Sequence, residues 1–208
     1  MPAEISLETF VRAFADAFAR IDARSPVWVS RSGRAYQPGL GPHGENEVVR
    51  LVLAELTGAP PHVTVAAGQA LPYPNGSRQK CDLWLGAPLK WAIEVKMARF
   101  RGDNGKPDDT ALKDLISPYE DDHSALTDCV KLARSDFPCR TALLVYGFDF
   151  DDRPLDPAID ALETLARARV KLGQRIEVRL GPLVHPVMSA GRVFAWEIGK
   201  ERAARDTA

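Results

Sequence analysis

Apolar residues recur at helical spacing near the start of the chain. Leu7, Phe10, Val11, Phe14, Phe18 and Ile21 share one face, which predicts an amphipathic helix over 6–24 with Ser6 as N-cap. That stripe suits a core or a subunit contact. Residues 30–46 are rich in Gly and Pro and read as a loop. A second helix is expected from about Asn46 to Thr57, with Val48, Val49, Val52, Leu53 and Leu56 as its apolar stripe. The pattern then changes to short apolar runs. Strands are expected at 62–68, 80–85 and 90–98, with a turn over 73–78. Residues 101–109 read as a flexible loop, and 110–123 fit neither period. A helix over 124–135 and a buried strand over 139–149 follow. A helix over 157–172 opens with Pro157, and two more strands lie at 175–180 and 192–198. The charged tail after Lys200 is expected to fray.

This order is neither a regular strand–helix alternation nor an all-strand pattern. It predicts an α/β (α+β) fold, a central mixed sheet flanked by helices. A length of 208 residues suits one domain over 1–208. It divides into the N-terminal helix, a core over 44–150 and a C-terminal addition of a helix and two strands over 151–199. The chain is 45% hydrophobic and 26% charged, as in ordinary globular proteins. No apolar run approaches the ~20 residues that span a bilayer, so no membrane association is expected. No secretory leader is evident. Cys81, Cys129 and Cys139 lack metal-site pairing and suit a reducing cytoplasm.

Charge and strand parity bring in chemistry. The net charge is −1, so the chain as a whole is not a basic nucleic-acid binder. From Arg78 to Lys106, however, seven Lys/Arg face three acids, a local excess that suits a polyanion. In that stretch lie KCDLWL (80–85) and KWAIEVKMA (90–98). Side chains alternate along a strand, so Cys81, Leu83 and Leu85 oppose Asp82 and Trp84. Likewise Trp91, Ile93, Val95 and Met97 oppose Ala92, Glu94 and Lys96. A hairpin that keeps apolar sets together puts Asp82 beside Glu94. Asp82 opposite Glu94 leaves a five-residue loop, and Asp82 opposite Ala92 a three-residue one. Solvent-facing sheets also carry acid–lysine pairs. Ala92 and Trp84 should cover this one in part, and two buried carboxylates without a cation repel each other.

The strand order, with Asp82 and Glu94-Val95-Lys96 on adjacent strands, resembles the PD-(D/E)XK nuclease superfamily, the restriction endonuclease-like fold with an αβββαβ core. The resemblance covers Asn46 to Asp149. It differs in having Cys81 where the motif has Pro. It implies a metal-dependent nuclease acting on nucleic acid, most often DNA, in restriction, defence or repair. Asp82, Glu94 and Lys96 would be catalytic. Asp82, Glu94 and the Val95 carbonyl would hold Mg2+, with Mn2+ as substitute, and Ca2+ binding without turnover. An acid from the preceding helix would join them, Glu47 matching best and Glu45 second. A helix-terminal acid favoured by the macrodipole explains Glu47 equally well. Lys131, Arg78, Lys80 and Arg99 would contact substrate. Relatives often dimerise, and the N-terminal helix offers one surface for a homodimer. The alternative is a catalytically silent nucleic-acid-binding or scaffold subunit. His43, His62, His123 and His185 show no paired ligand spacing. His123, beside Asp121 and Asp122, can form a polar patch near the site. Trp84, Tyr73 and Tyr119 read as packing residues before base-stacking ones.

Overall fold

The chain's most apolar strand becomes the one on which the sheet is built. A computed structural model describes residues 5–30, 33–58, 66–76 and 78–200. In chain order the elements are α1 (Leu7–Arg24), β1 (Trp28–Val29), β2 (Ala35–Tyr36), α2 (Glu45–Gly58), β3 (Ala67–Pro72), β4 (Lys80–Leu85), β5 (Trp91–Ala98) and α3 (Ala111–Ile116). Then come α4 (Ala125–Ala133), β6 (Arg140–Phe148), α5 (Asp156–Arg167), β7 (Lys171–Leu172), β8 (Ile176–Leu180) and β9 (Gly191–Gly199). A short 3-10 turn over Glu120–Asp122 precedes α4.

The main sheet runs β3-β4-β5-β6-β9, and β7 and β8 pair successive lengths of the far edge of β9. Among the described strands, only β5 and β6 pair in parallel. Their crossover carries α3 and α4, as a parallel connection requires. From Thr141 to Phe148 every residue of β6 is buried, because helices cover both faces. Successive side chains there point to opposite layers. Tyr146 meets Phe14 and Phe18 of α1 at ring distances of 6.1 and 5.7 Å. Glu94 and Lys96, in register with Leu143 and Val145, meet α4 instead. The mixed sheet between helical layers is thus the expected fold class.

Most expected elements fall where the pattern placed them, and the shifts have local causes. Ser6 caps α1 by accepting from the Thr9 amide at 3.1 Å. The stripe of α1 is interior: Phe10, Phe14 and Phe18 are all buried. Those aromatic residues are therefore not available to a second copy. Helix α2 starts at Glu45, one residue early, because the Gly44 carbonyl accepts from Glu47 and Val48. The strand expected at 62–68 is described as Ala67–Pro72; residues 59–65, His62 included, lie outside the described residues, as do Arg31 and the tail after Lys200. The 30–46 loop carries β2, whose Tyr36 stacks on Trp28 at 4.4 Å. The 101–109 loop is tied down, with Asp103 accepting from Gln37 and bonded to His185. Helix α5 ends at Arg167, and Lys171–Leu172 joins the sheet instead.

Glycine sets one close approach. A Cβ on Gly191 would sit 2.4 Å from the Gly147 carbonyl oxygen, within the β6–β9 ladder. Gly191→Ala is expected to lower stability by about 1–3 kcal/mol through overpacking. An unchanged denaturant midpoint would show that the strands can part to admit the methyl group.

Candidate active site

The β4–β5 hairpin opens where its acids begin. Pairing runs from Leu85↔Trp91 through Trp84↔Ala92 to Leu83↔Ile93 and goes no further. The five-residue loop is therefore the register adopted. Beyond Ile93 carboxylates take over from the departed strand. The Val95 amide donates to Asp82 Oδ2 at 2.8 Å, and the Met97 amide donates to Glu45 Oε2 at 2.7 Å. The Asp82 amide donates to Glu94 Oε2 at 3.3 Å. Strand residues two apart present their amides to the same edge, and each residue's carbonyl faces the same edge as its amide. The Val95 carbonyl is thus directed into the same opening.

Helix α4 closes the site from the other side. Ser124 caps it, and Asp128 and Lys131, three residues apart, share a face. Lys96 Nζ lies 3.1 Å from Asp128 Oδ2. Lys131 Nζ lies 2.6 Å from Glu94 Oε1 and 2.8 Å from Asp128 Oδ1. The Tyr73 hydroxyl donates to the same Glu94 oxygen at 2.5 Å, and its ring packs on Phe137. Glu94 and Asp128 are 2% and 4% exposed, and Glu45 and Asp82 are half-buried.

This burial shapes the electrostatics. Desolvation raises the pKa of Glu45, Asp82, Glu94 and Asp128 alike. The Asp82 charge adds to the effect at Glu94, and the Glu94 charge adds to it at Asp128. Burial opposes the charge on Lys96, but Asp128 and Glu45 outweigh it and hold its pKa above the ordinary value. Lys131 is held higher by Glu94 and Asp128 against the same opposition. Four carboxylates thus face two ammonium groups. Full ionisation would leave an uncompensated excess of two negative charges, the charge of one divalent cation.

The structure brings together Asp82, Glu94, Val95 and Lys96. It does not bring Glu47, whose carboxylate pairs with Arg50 at 2.6 Å, its side chain 44% exposed. Glu45 takes that place. It lies three, four and seven residues before the buried Val48, Val49 and Val52, in phase with the inward stripe, whereas Glu47 is out of phase. Lys131 is engaged with the carboxylates. Arg78 and Lys80 are exposed at the entry to β4. Arg99 donates to the Gly41 carbonyl at 2.8 Å and braces that loop. The sequence reading missed Tyr73 as a site residue, since nothing in its turn context marks a phenol aimed at Glu94. Asp128, whose carboxylate lies 3.1 Å from Lys96 Nζ, is a second site residue that the strand pattern does not mark. His185 is interior: its Nδ1 accepts from Val187 and Met188, so Nε2 carries the proton and donates to Asp103. His43 stacks on Trp28.

The all-oxygen donor set of Asp82, Glu94, Glu45 and the Val95 carbonyl suits Mg2+ or Mn2+. Among the described residues, no three His, Cys, Asp or Glu side chains are gathered closely enough to ligate one ion as they stand. No described helix is long and apolar enough to cross a membrane. No family model, no curated protein and no solved structure matches this chain.

Proposed function

We propose that the chain is a Mg2+-dependent nuclease of the PD-(D/E)XK type that hydrolyses phosphodiester bonds, with DNA as its substrate. One observation carries the reading: Glu45, Asp82 and Glu94 converge with Lys96 at the point where β4 leaves β5. Asp82, Glu94 and the Val95 carbonyl would hold the ion, with Glu45 as the upstream acid. Bound there, Mg2+ would supply a water of lowered pKa and neutralise phosphoryl oxygen charge. Lys96, steadied by Asp128, presents a fixed positive charge to the phosphate as negative charge builds on it. Its pKa keeps it protonated at neutral pH. Tyr73 and Lys131 hold Glu94 in place from the α4 side.

The test is incubation of the purified chain with circular and linear DNA, single- and double-stranded, and with RNA. Cleavage is expected in Mg2+ and none in EDTA. A second reading, the silent scaffold subunit, is favoured by the ammonium of Lys131, which already engages two of the acids. Equal inertness in Mg2+, Mn2+ and EDTA would favour it.

The two upstream acids separate cleanly. Glu45→Gln is expected to lower cleavage about tenfold to a hundredfold, the scale of altering groups that orient a metal centre. Glu47→Gln, which only breaks a surface pair with Arg50, should leave the rate within about twofold. The reverse order would remove Glu45 from the site.

A further inference from the structure

Of the two lysines in the site, Lys131 and not Lys96 is paired with a candidate metal ligand. Lys131 Nζ lies 2.6 Å from Glu94 Oε1 and 2.8 Å from Asp128 Oδ1, whereas Lys96 pairs with Asp128 Oδ2. The Tyr73 hydroxyl donates to the same Glu94 oxygen at 2.5 Å, and the Lys131 ammonium lies 5.1 Å from the centre of the Tyr73 ring. The Asp82 amide donates to the other oxygen, Oε2, at 3.3 Å. Both oxygens of Glu94 are thus in use within the protein. A magnesium ion holds its oxygen ligands at about 2.0–2.1 Å in near-octahedral geometry. Among the described residues no three acidic side chains are gathered closely enough for that as they stand. For Glu94 to join such a shell it must turn toward Asp82 and Glu45, and turning it breaks the contact with Lys131.

Lys131 is built to yield. Its side chain is 28% exposed, against 16% for Lys96, and it lines a cleft of about 580 Å³, so its flexible four-carbon stem has room to move. Asp128, three residues earlier on α4, remains as its partner, so leaving Glu94 does not strand the ammonium without a counter-charge.

We infer that Lys131 is a built-in counter-ion that competes with the divalent cation for Glu94 and so sets how tightly the site binds metal. This rests on the reading of the acids as a metal centre and adds to it the regulation of that centre. Two cations a few ångströms apart repel, and in a half-buried site a single unit charge at that distance outweighs a tenfold change in affinity, on the order of 4 kcal/mol at about 4 Å. Whenever no divalent ion holds Glu94, the ammonium keeps two buried carboxylates from facing each other uncompensated. Loading the site is then an exchange of one cation for another.

Metal binding is measured without nucleic acid. Mn2+ is titrated into the full chain after EDTA treatment and dialysis, and the free ion is read by electron paramagnetic resonance. Thermal melts first show that each variant is folded. Lys131→Met, which removes the ammonium and keeps an unbranched stem, is expected to bind Mn2+ at least about tenfold more tightly than wild type. Lys131→Arg keeps the charge and should stay within about threefold, and Lys113→Met, which breaks a surface pair with Asp122, within about twofold. Equal or weaker binding by Lys131→Met overturns the counter-ion, as does Lys131→Arg binding as tightly as Lys131→Met. A second measurement uses the wild-type chain alone and decides the matter even where Lys131→Met does not fold. The Lys131 ammonium is followed by proton–nitrogen NMR, its signal identified by its absence in Lys131→Arg. That signal is expected to shift or vanish as Mg2+ is added, and a signal unchanged at saturating Mg2+ overturns the exchange. Tighter binding by Lys131→Met in a chain that never cleaves keeps the counter-ion and discards the nuclease. A chain that cleaves while Lys131→Met binds no more tightly does the reverse. No Mn2+ binding by any of these proteins removes the metal centre and the counter-ion with it.

Discussion

Asp82→Asn and Lys96→Ala are each expected to reduce Mg2+-dependent cleavage by about three orders of magnitude or more, the scale of losing a metal ligand or a charge that stabilises the transition state. The two should part company in stability. Asp82 keeps its carboxyl beside Glu94 in a half-buried site, and burial raises its pKa. A carboxylic acid whose folded-state pKa is raised contributes stability below that pKa and loses it as the pH rises through it. At neutral pH, without metal, the ionised form is therefore a burden on the fold. Asn keeps an oxygen to accept from the Val95 amide and removes the charge, so Asp82→Asn in EDTA should melt at or above the wild-type temperature. Lys96→Ala does the opposite. It leaves buried Asp128 with one cation fewer, and the melting temperature should fall. Loss of activity with stability gained in one variant and lost in the other is the signature of a charged site held together for chemistry. Either folded variant cleaving at the wild-type rate would remove the mechanism.

How much of this was legible in the sequence depended on which contacts are local. The hairpin was: a two-residue period with Cys81, Leu83 and Leu85 on one side fixes which face carries the acids, and a slip by one residue would bury them in the apolar layer. The helix at 124–135 was too, because Ser124 and its apolar spacing sit in one window. The choice between Glu45 and Glu47 was available but misread. Glu47 was preferred on the resemblance alone, while the buried Val48, Val49 and Val52 put Glu45 in phase. Tyr73 was not legible. Its hydroxyl reaches Glu94 only because the turn after β3 folds over the opened end of β4, a contact between segments that no local period encodes. The split edge of β7 and β8 was hidden for a related reason. Lys171–Leu172 continues a helical pattern, and only pairing with Ile198 and Gly199 turns it into strand.

Asp22→Ala is expected to destabilise the chain by about 3–5 kcal/mol, by removing one buried carboxylate that joins three segments. Asp22 lies in the last turn of α1 and is fully buried. Its Oδ1 accepts from the Leu40 amide and its Oδ2 from the Val184 amide, both at 2.7 Å. Gly39 passes so close that a Cβ there would meet Asp22 Oδ1 at 2.5 Å. Hydrogen bonds to a charged acceptor are about twice as strong as neutral ones, and Ala would leave two interior amides unpaired. Asn retains one acceptor oxygen, so Asp22→Asn should fall between Ala and wild type. The loop held at Leu40 leads within five residues to Glu45, so the loss should extend beyond stability. The Ala variant, kept below its melting temperature, should also cleave more slowly than Asp22→Asn. Denaturant titration gives the first quantity and cleavage rates the second. A stability change under about 1 kcal/mol would mean that water or a neighbouring group satisfies both amides, and that Asp22 is not what fastens α1 to the site.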